Sequence, residues 1–183
     1  MDLERGEGMV VLFVADSVTN PLKGFDYMSN ALEEVEIRVP VTLVSIGRHE
    51  PTMPSNLNHV HAGYVEDDKQ LSSLYSMADV FVMPSLQEAF GQTALESMSC
   101  GTPVVGFDAG GIPDMVRPDE TGWLAEKGNV RSLRDAIEAA LSNDGERKRK
   151  AVRCREVVEE EYTIDRQAGQ YEALYESILE DAE

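Results

Sequence analysis

The stretch "DVFVMPSLQEAFGQTALESMSCGTPVVGFD", residues 79–108, decides how the chain folds. It opens on a short, uniformly apolar run closed by Pro84 and Ser85, too short for a surface helix and suited to a strand buried on both faces. "TALESMSCG" (93–101) then reads as a helix stopped by Gly101, and "TPVVGFD" (102–108) as a second buried strand. Two buried strands joined through a helix are parallel neighbours, because a parallel pair needs a crossover of this length.

The same alternation runs outward in both directions. "MVVLFVA" (9–15) and "VTLVSIG" (41–47) read as strands, and between them "GFDYMSNALEEV" (24–35) carries Phe25, Met28, Leu32 and Val35 at helical spacing. "HVHAGYV" (59–65) reads as a strand, "DKQLSSLYSMA" (68–78) as a helix and "GWLAE" (122–126) as a last short strand. Helical stretches follow from near Val130, Gly145 and Ile164. The expected fold is α/β: a Rossmann-like, doubly wound parallel sheet, with residues 1–183 as a single domain ending in a C-terminal helix over 160–183.

Composition narrows the function. The formal net charge is −18, which excludes nucleic acid and anionic membranes as partners held by bulk electrostatics. Any phosphate must be held locally. Cys100 and Cys154 lack the spacing of a metal site, and His49, His59 and His61 form no ligand pattern with them, so no metal is expected. Isolated thiols, together with the lack of a leader-like or membrane-length apolar stretch, point to a cytoplasmic location.

In an open parallel sheet, ligands sit beyond the carboxyl ends of the strands. The loop 86–92 occupies such a place, with Thr93 expected to begin or cap the following helix. Unpaired backbone amides at a helix start bind phosphate without a cationic side chain, and Gly91 lets the backbone approach closely. Phe90, Gly91, Gln92 and Thr93 are therefore candidate donors. Glu96, one turn into the helix, suits a vicinal diol such as a ribose, and Glu88, across the amides, suits a second polyhydroxyl group. The two acids are expected to share one hollow above the sheet. Together these elements describe a nucleotide-sugar site, although on spacing alone the pair also fits a loop acid and an unrelated exposed helix acid.

From Met9 to about Ile178, and most specifically between Ala78 and Gly122, the chain resembles the C-terminal, donor-binding domain of the retaining GT-B glycosyltransferases of glycosyltransferase family 4. The E-x7-E signature of that family is met by Glu88 and Glu96, and its surroundings by Pro84-Ser85, Phe90-Gly91, Gly101-Thr102-Pro103, Gly110-Gly111-Ile112-Pro113 and Thr121-Gly122. The resemblance implies that Glu88 lies against the donor sugar and Glu96 against the ribose. It implies that Gly63, Tyr64 and Val65 flank the base, and that Lys23, followed by Gly24, neutralises charge on the departing diphosphate. Taken alone, Lys23 reads as a solvated turn lysine.

An arginine usual in the family is replaced here by Asp16-Ser17, which leaves Ser17 as a hydroxyl near the diphosphate and Arg48 as a substitute charge; by itself Arg48 is a surface-loop arginine. The resemblance further implies a nucleotide-diphosphate-sugar donor, no cofactor, and a partner N-terminal acceptor-binding domain absent from this stretch. Any membrane association of a full-length enzyme is expected to lie in that other half. The alternatives that share the fold are a non-catalytic nucleotide-sugar-binding module and a GT-B sugar-nucleotide epimerase. A dinucleotide oxidoreductase is disfavoured, since "VADSVTNPLKG" (14–24) lacks GxGxxG.

Overall fold

The structure is a computed structural model, and it describes residues 8–180. Six strands form one all-parallel sheet: β1 (Met9–Ser17), β2 (Val41–Arg48), β3 (Asn58–His61), β4 (Val80–Met83), β5 (Val104–Phe107) and β6 (Gly122–Ala125), in the order β3-β2-β1-β4-β5-β6. β1, β2, β4, β5 and β6 are wholly or mostly apolar because both faces are covered, whereas the edge strand β3 is polar and only partly buried. The helices are α1 (Phe25–Glu33), α2 (Asp68–Met77), α3 (Gln92–Ser99), α4 (Ile112–Met115), α5 (Val130–Ser142), α6 (Asp144–Glu161) and α7 (Ile164–Glu180). α1 packs on α5, while α2 and α3 pack together and α3 packs on α6, so the sheet is the middle of three layers.

The helix starts are written in the sequence. Asp67 accepts from the amide of Gln70 at 2.8 Å, Asn129 from that of Ser132 and Asn143 from that of Glu146, each satisfying an orphan donor of the first turn. α1 buries Phe25, Met28 and Leu32, three of the residues picked out by their helical spacing. The core runs through the whole sheet, with Val11, Leu12, Phe81, Val104 and Phe107 essentially inaccessible to solvent.

Three buried charged side chains, Asp79, Arg147 and Lys150, lie away from the carboxyl edge of the sheet. Asp79, just before β4, accepts from the amide of Val10 at 2.8 Å and lies 3.9 Å from Arg147 of α6. Arg147 also donates to the carbonyls of Ala140 and Leu141 and to Asp144. Lys150, fully buried, donates to the carbonyl of Pro118 and sits 4.8 Å from the centre of the Trp123 ring.

Some boundaries differ from the sequence reading: the strand expected over 59–65 ends at His61, and the C-terminal helix starts later than expected. Residues 160 and 161 close α6, Tyr162 and Thr163 break the helix, and α7 begins at Ile164; residues 181–183 of the expected C-terminal helix lie outside the described residues. α7 buries none of its side chains, leaving Ile164, Tyr171, Leu174, Tyr175, Ile178 and Leu179 exposed. Among the described residues no helix is long and apolar enough to cross a membrane.

Candidate functional site

Strand order reverses between β1 and β4, which are hydrogen-bonded neighbours though 62 residues of sequence separate Ser17 from Val80. A sheet of this kind opens a crevice at such a switch point, because the crossovers on either side leave in opposite directions. The segments leaving the carboxyl ends of these two strands carry the candidate residues. After β1 comes a short 3-10 turn, Pro21–Lys23, capped by the Asn20 side chain. After β4 comes the loop that contains Glu88.

Lys23 and Glu88, 65 positions apart, meet here with Nζ to Oε2 at 2.8 Å. The contact depends on the glycine that follows the lysine. Gly24 has φ of 74°, and a Cβ on it would lie 1.9 Å from the carbonyl oxygen of Pro84, so only a residue without a side chain lets the β1 turn settle against the β4 loop. The amide of Leu86 then donates to the carbonyl of Leu22 at 2.8 Å, joining the two loops through the backbone. Gly24→Ala is expected to cost about 2–3 kcal/mol or more and to lower the thermal midpoint by about 5–10 °C, as measured by calorimetry.

The other side of the Glu88 loop is held by the glycine pair after β5. The amide of Gly111 donates to the carbonyl of Glu88 at 3.0 Å, and a Cβ on Gly110 would lie 2.0 Å from that same oxygen. Gly110-Gly111 therefore serves to support the position of Glu88 through its backbone.

α3 begins at Gln92, with Gly91 as its cap residue and no capping side chain. Thr93 does not cap it, contrary to expectation: its hydroxyl donates to the sulfur of Met83 at 3.4 Å, turned back toward the end of β4. Among the described residues, the amides of Phe90, Gly91, Gln92 and Thr93 make no hydrogen bond. They form a group of donors at a helix amino end, where the helix dipole favours an anion.

Glu96 follows one turn later. Its Oε2 accepts from the hydroxyl of Tyr75 at 2.9 Å. Burial, and after it the charge of Glu96, raise the pKa of that phenol above its ordinary value. Glu96, Phe90 and Gln92 line a cleft of about 870 Å³ between α3 and the α6–α7 junction, where Tyr162 and Arg166 form the far wall. Glu88 is not among the residues that line that cleft. The two acids stand on either side of the amide group, one satisfied by a cation and the other by a phenol.

The remaining candidates gather at the carboxyl ends of β1, β2 and β3. The Arg48 guanidinium lies 4.7 Å from the centre of the Tyr64 ring and 3.5 Å from Asp16, and all three are exposed. Ser17 Oγ is 3.1 Å from His49 Nδ1. The carbonyl of Gly63 accepts from the amide of Gly47, which fixes the turn before Tyr64, and Val65 packs partly against the core.

Sequence reasoning passed over two neighbours of the site. Tyr75 is one of the two buried residues of α2, and its hydroxyl contact with Glu96 ties it to the site. His49 is, among the described residues, the one non-glycine with positive φ, at 63°.

The other singled-out residues are structural. The Ser45 hydroxyl bridges His59 and His61 at 2.8 and 2.9 Å, with the His59 pKa lowered first by burial and then by the neighbouring His61. Cys154 donates to the carbonyl of Thr121, and burial pushes its thiol up to about 12. Among the described residues no group of three or more His, Cys, Asp and Glu side chains is placed to hold a metal ion.

The family model described as "Glycosyl transferases group 1" matches residues 8–143. Among curated relatives, N-acetyl-alpha-D-glucosaminyl L-malate synthase of Bacillus anthracis is 28% identical over 150 residues, covering 80% of this chain and 39% of that protein. Among solved structures, sucrose-phosphate synthase from Thermosynechococcus elongatus superposes with a TM-score of 0.82 at 28% identity, covering 98% of this chain and 47% of the other. The HepE protein of Anabaena, in complex with UDP and glucose, is alike in fold at a TM-score of 0.78 and 20% identity, with 93% of this chain and 48% of the other covered. The chain spans well under half the length of the curated relatives it matches.

Proposed function

The chain belongs to the group 1 glycosyl transferases, and from that membership we propose that it binds the donor in a retaining transfer of sugar from a nucleotide-diphosphate-sugar to an acceptor hydroxyl. The observation that carries this reading is the meeting of Lys23 and Glu88 at 2.8 Å across the strand-order switch, beside the four free amides that start α3. HepE, which shares the fold, is seen with UDP and glucose. A ligand of the same chemistry suits this arrangement.

In the proposed complex the amides of residues 90–93 and the ammonium of Lys23 hold the diphosphate, Glu96 accepts from the ribose hydroxyls and Glu88 accepts from the sugar. Tyr64, Val65 and the main chain at Gly63 flank the base, and Ser17 and Arg48 supply a hydroxyl and a charge at the neighbouring strand ends. As the bond to the sugar breaks, negative charge grows on the leaving diphosphate. A cation and fixed amide dipoles aimed there lower the barrier, because they act more strongly on the transition state than on the bound donor. These groups carry the phosphate charge without calling on a metal ion. Glu88 serves by hydrogen bonding and by its charge beside the developing oxocarbenium, and no general-base role is assigned to it.

The acceptor and its binding surface are proposed to belong to a second, N-terminal domain, so the chain by itself binds donor and transfers nothing. Titration calorimetry with UDP, GDP, ADP and a UDP-sugar tests the reading. One nucleoside diphosphate or its sugar conjugate is expected to bind at least tenfold more tightly than the free nucleoside. Glu96→Ala is expected to weaken that binding about tenfold, the scale of a lost hydrogen bond to a charged group. Equal affinity for nucleoside and diphosphate, or measurable sugar transfer by this chain alone, overturns it.

A further inference from the structure

We infer that Tyr75 is a positioning residue for the donor's ribose, acting through Glu96 and setting the preference for ribose over deoxyribose; the inference rests on the donor-binding reading above. The phenol ring is 1% exposed and stands edge-on to Phe81 of β4, with ring centres 5.6 Å apart. Its backbone is fixed as well: the carbonyl of Tyr75 accepts from the Thr102 hydroxyl at 2.7 Å and from the amide of Ala78 at 3.1 Å. Ring and main chain are thus held by the core, and a single polar atom reaches from that core to the candidate site.

That atom donates to Glu96 Oε2 at 2.9 Å. A phenol whose ionisation is suppressed by burial and by a nearby carboxylate keeps its proton and remains a donor. Glu96 is otherwise an exposed side chain on a helix surface, with several torsions free to turn. Anchoring Oε2 fixes the plane of the carboxylate before any ligand arrives, which removes an ordering cost from binding. Oε1, which has no hydrogen-bond partner among the described residues, and the second lone pair of Oε2 are left to accept.

Two acceptors held in one plane match the two adjacent hydroxyls of a ribose. A ligand lacking one hydroxyl leaves an acceptor unmatched, and the penalty is largest where the carboxylate cannot swing to compensate. Tyr75 therefore converts a flexible acid into a rigid reader of the diol. A tyrosine present only to fill the core predicts something different: its loss would lower stability and weaken both ligands alike.

The experiment compares UDP with 2′-deoxy-UDP by titration calorimetry on the 183-residue chain, with GDP or ADP and its 2′-deoxy counterpart used instead if that base binds more tightly. Wild type is expected to favour the ribose form by about tenfold. Tyr75→Phe keeps the ring and is expected to shrink the ratio to less than about threefold. Once Glu96→Ala is present, adding Tyr75→Phe is expected to change affinity no further, since the tyrosine acts through the acid. Should the phenylalanine chain unfold, Tyr75→Met provides a second hydroxyl-free side chain for the same comparison. An unchanged ratio in a folded hydroxyl-free variant overturns this inference while leaving donor binding intact. Failure of wild type to bind any of the three diphosphates overturns both.

Discussion

Lys23→Ala is expected to weaken binding of the preferred nucleoside diphosphate by about a hundredfold, or about 2.7 kcal/mol, while leaving the free nucleoside nearly unaffected. Two effects add. The charge-assisted hydrogen bond from the ammonium to a phosphate oxygen is lost. In addition, Glu88, which Lys23 neutralises at 2.8 Å, becomes an uncompensated carboxylate beside an incoming dianion.

The second effect has its own signature. Removing both partners in Lys23→Ala/Glu88→Ala is expected to recover part of the lost diphosphate affinity, because the repelling charge goes with the cation. Calorimetry on the two single variants and the double variant gives the coupling directly. A Lys23→Ala chain that binds diphosphate within threefold of wild type would remove Lys23 from the donor site.

The second large effect is on stability. Arg147→Ala is expected to destabilise the fold by about 3–5 kcal/mol and to lower the thermal midpoint by about 10 °C. The guanidinium is nearly inaccessible, and its removal takes away a cation 3.9 Å from Asp79, the ion pair to Asp144 and the donor to two carbonyls at the end of α5. Asp79 in turn joins the start of β4 to β1 through the amide of Val10. Because Arg147 and Asp79 do not belong to the donor machinery, nucleoside diphosphate affinity at temperatures where the variant is folded is expected to match wild type. Differential scanning calorimetry and one titration check both halves of the statement.

The strands and most helices could be read from sequence because their signals are local. Val80–Met83 is apolar throughout and punctuated by Pro84, and the α5 and α6 starts carry asparagine caps. α4 escaped because four residues containing Pro113 hold no periodicity to detect. The break at Tyr162 and Thr163 carries neither glycine nor proline, so the end of α6 and the start of α7 merged in the expected 160–183 helix.

The site was readable in part for the same reason. The apolar run closed at Ser85 and the helical stretch stopped by Gly101 placed Glu88 in a loop and Glu96 on a helix, and both lie there. What each acid touches depends on residues distant in sequence. Lys23 comes to Glu88 through the β1–β4 neighbourhood and a backbone approach at Gly24, and Tyr75 comes to Glu96 through the packing of α2 on α3. Each acid meets its own partner, Glu88 the Lys23 ammonium and Glu96 the Tyr75 hydroxyl, and of the two Glu96 lines the α3 cleft. Arg48 beside Tyr64 is likewise a product of β2–β3 register, with Ser45 facing His61 a few residues earlier.

α7 buries no side chain, and this has a thermodynamic consequence. A seventeen-residue segment without tertiary burial is helical only as far as its intrinsic propensity and end effects allow, which for such a length in water is marginal. Its coil-to-helix equilibrium is therefore set locally and is nearly decoupled from the cooperative melting of the sheet. A helix signal that falls ahead of the main calorimetric transition is therefore the expected thermal behaviour of the chain.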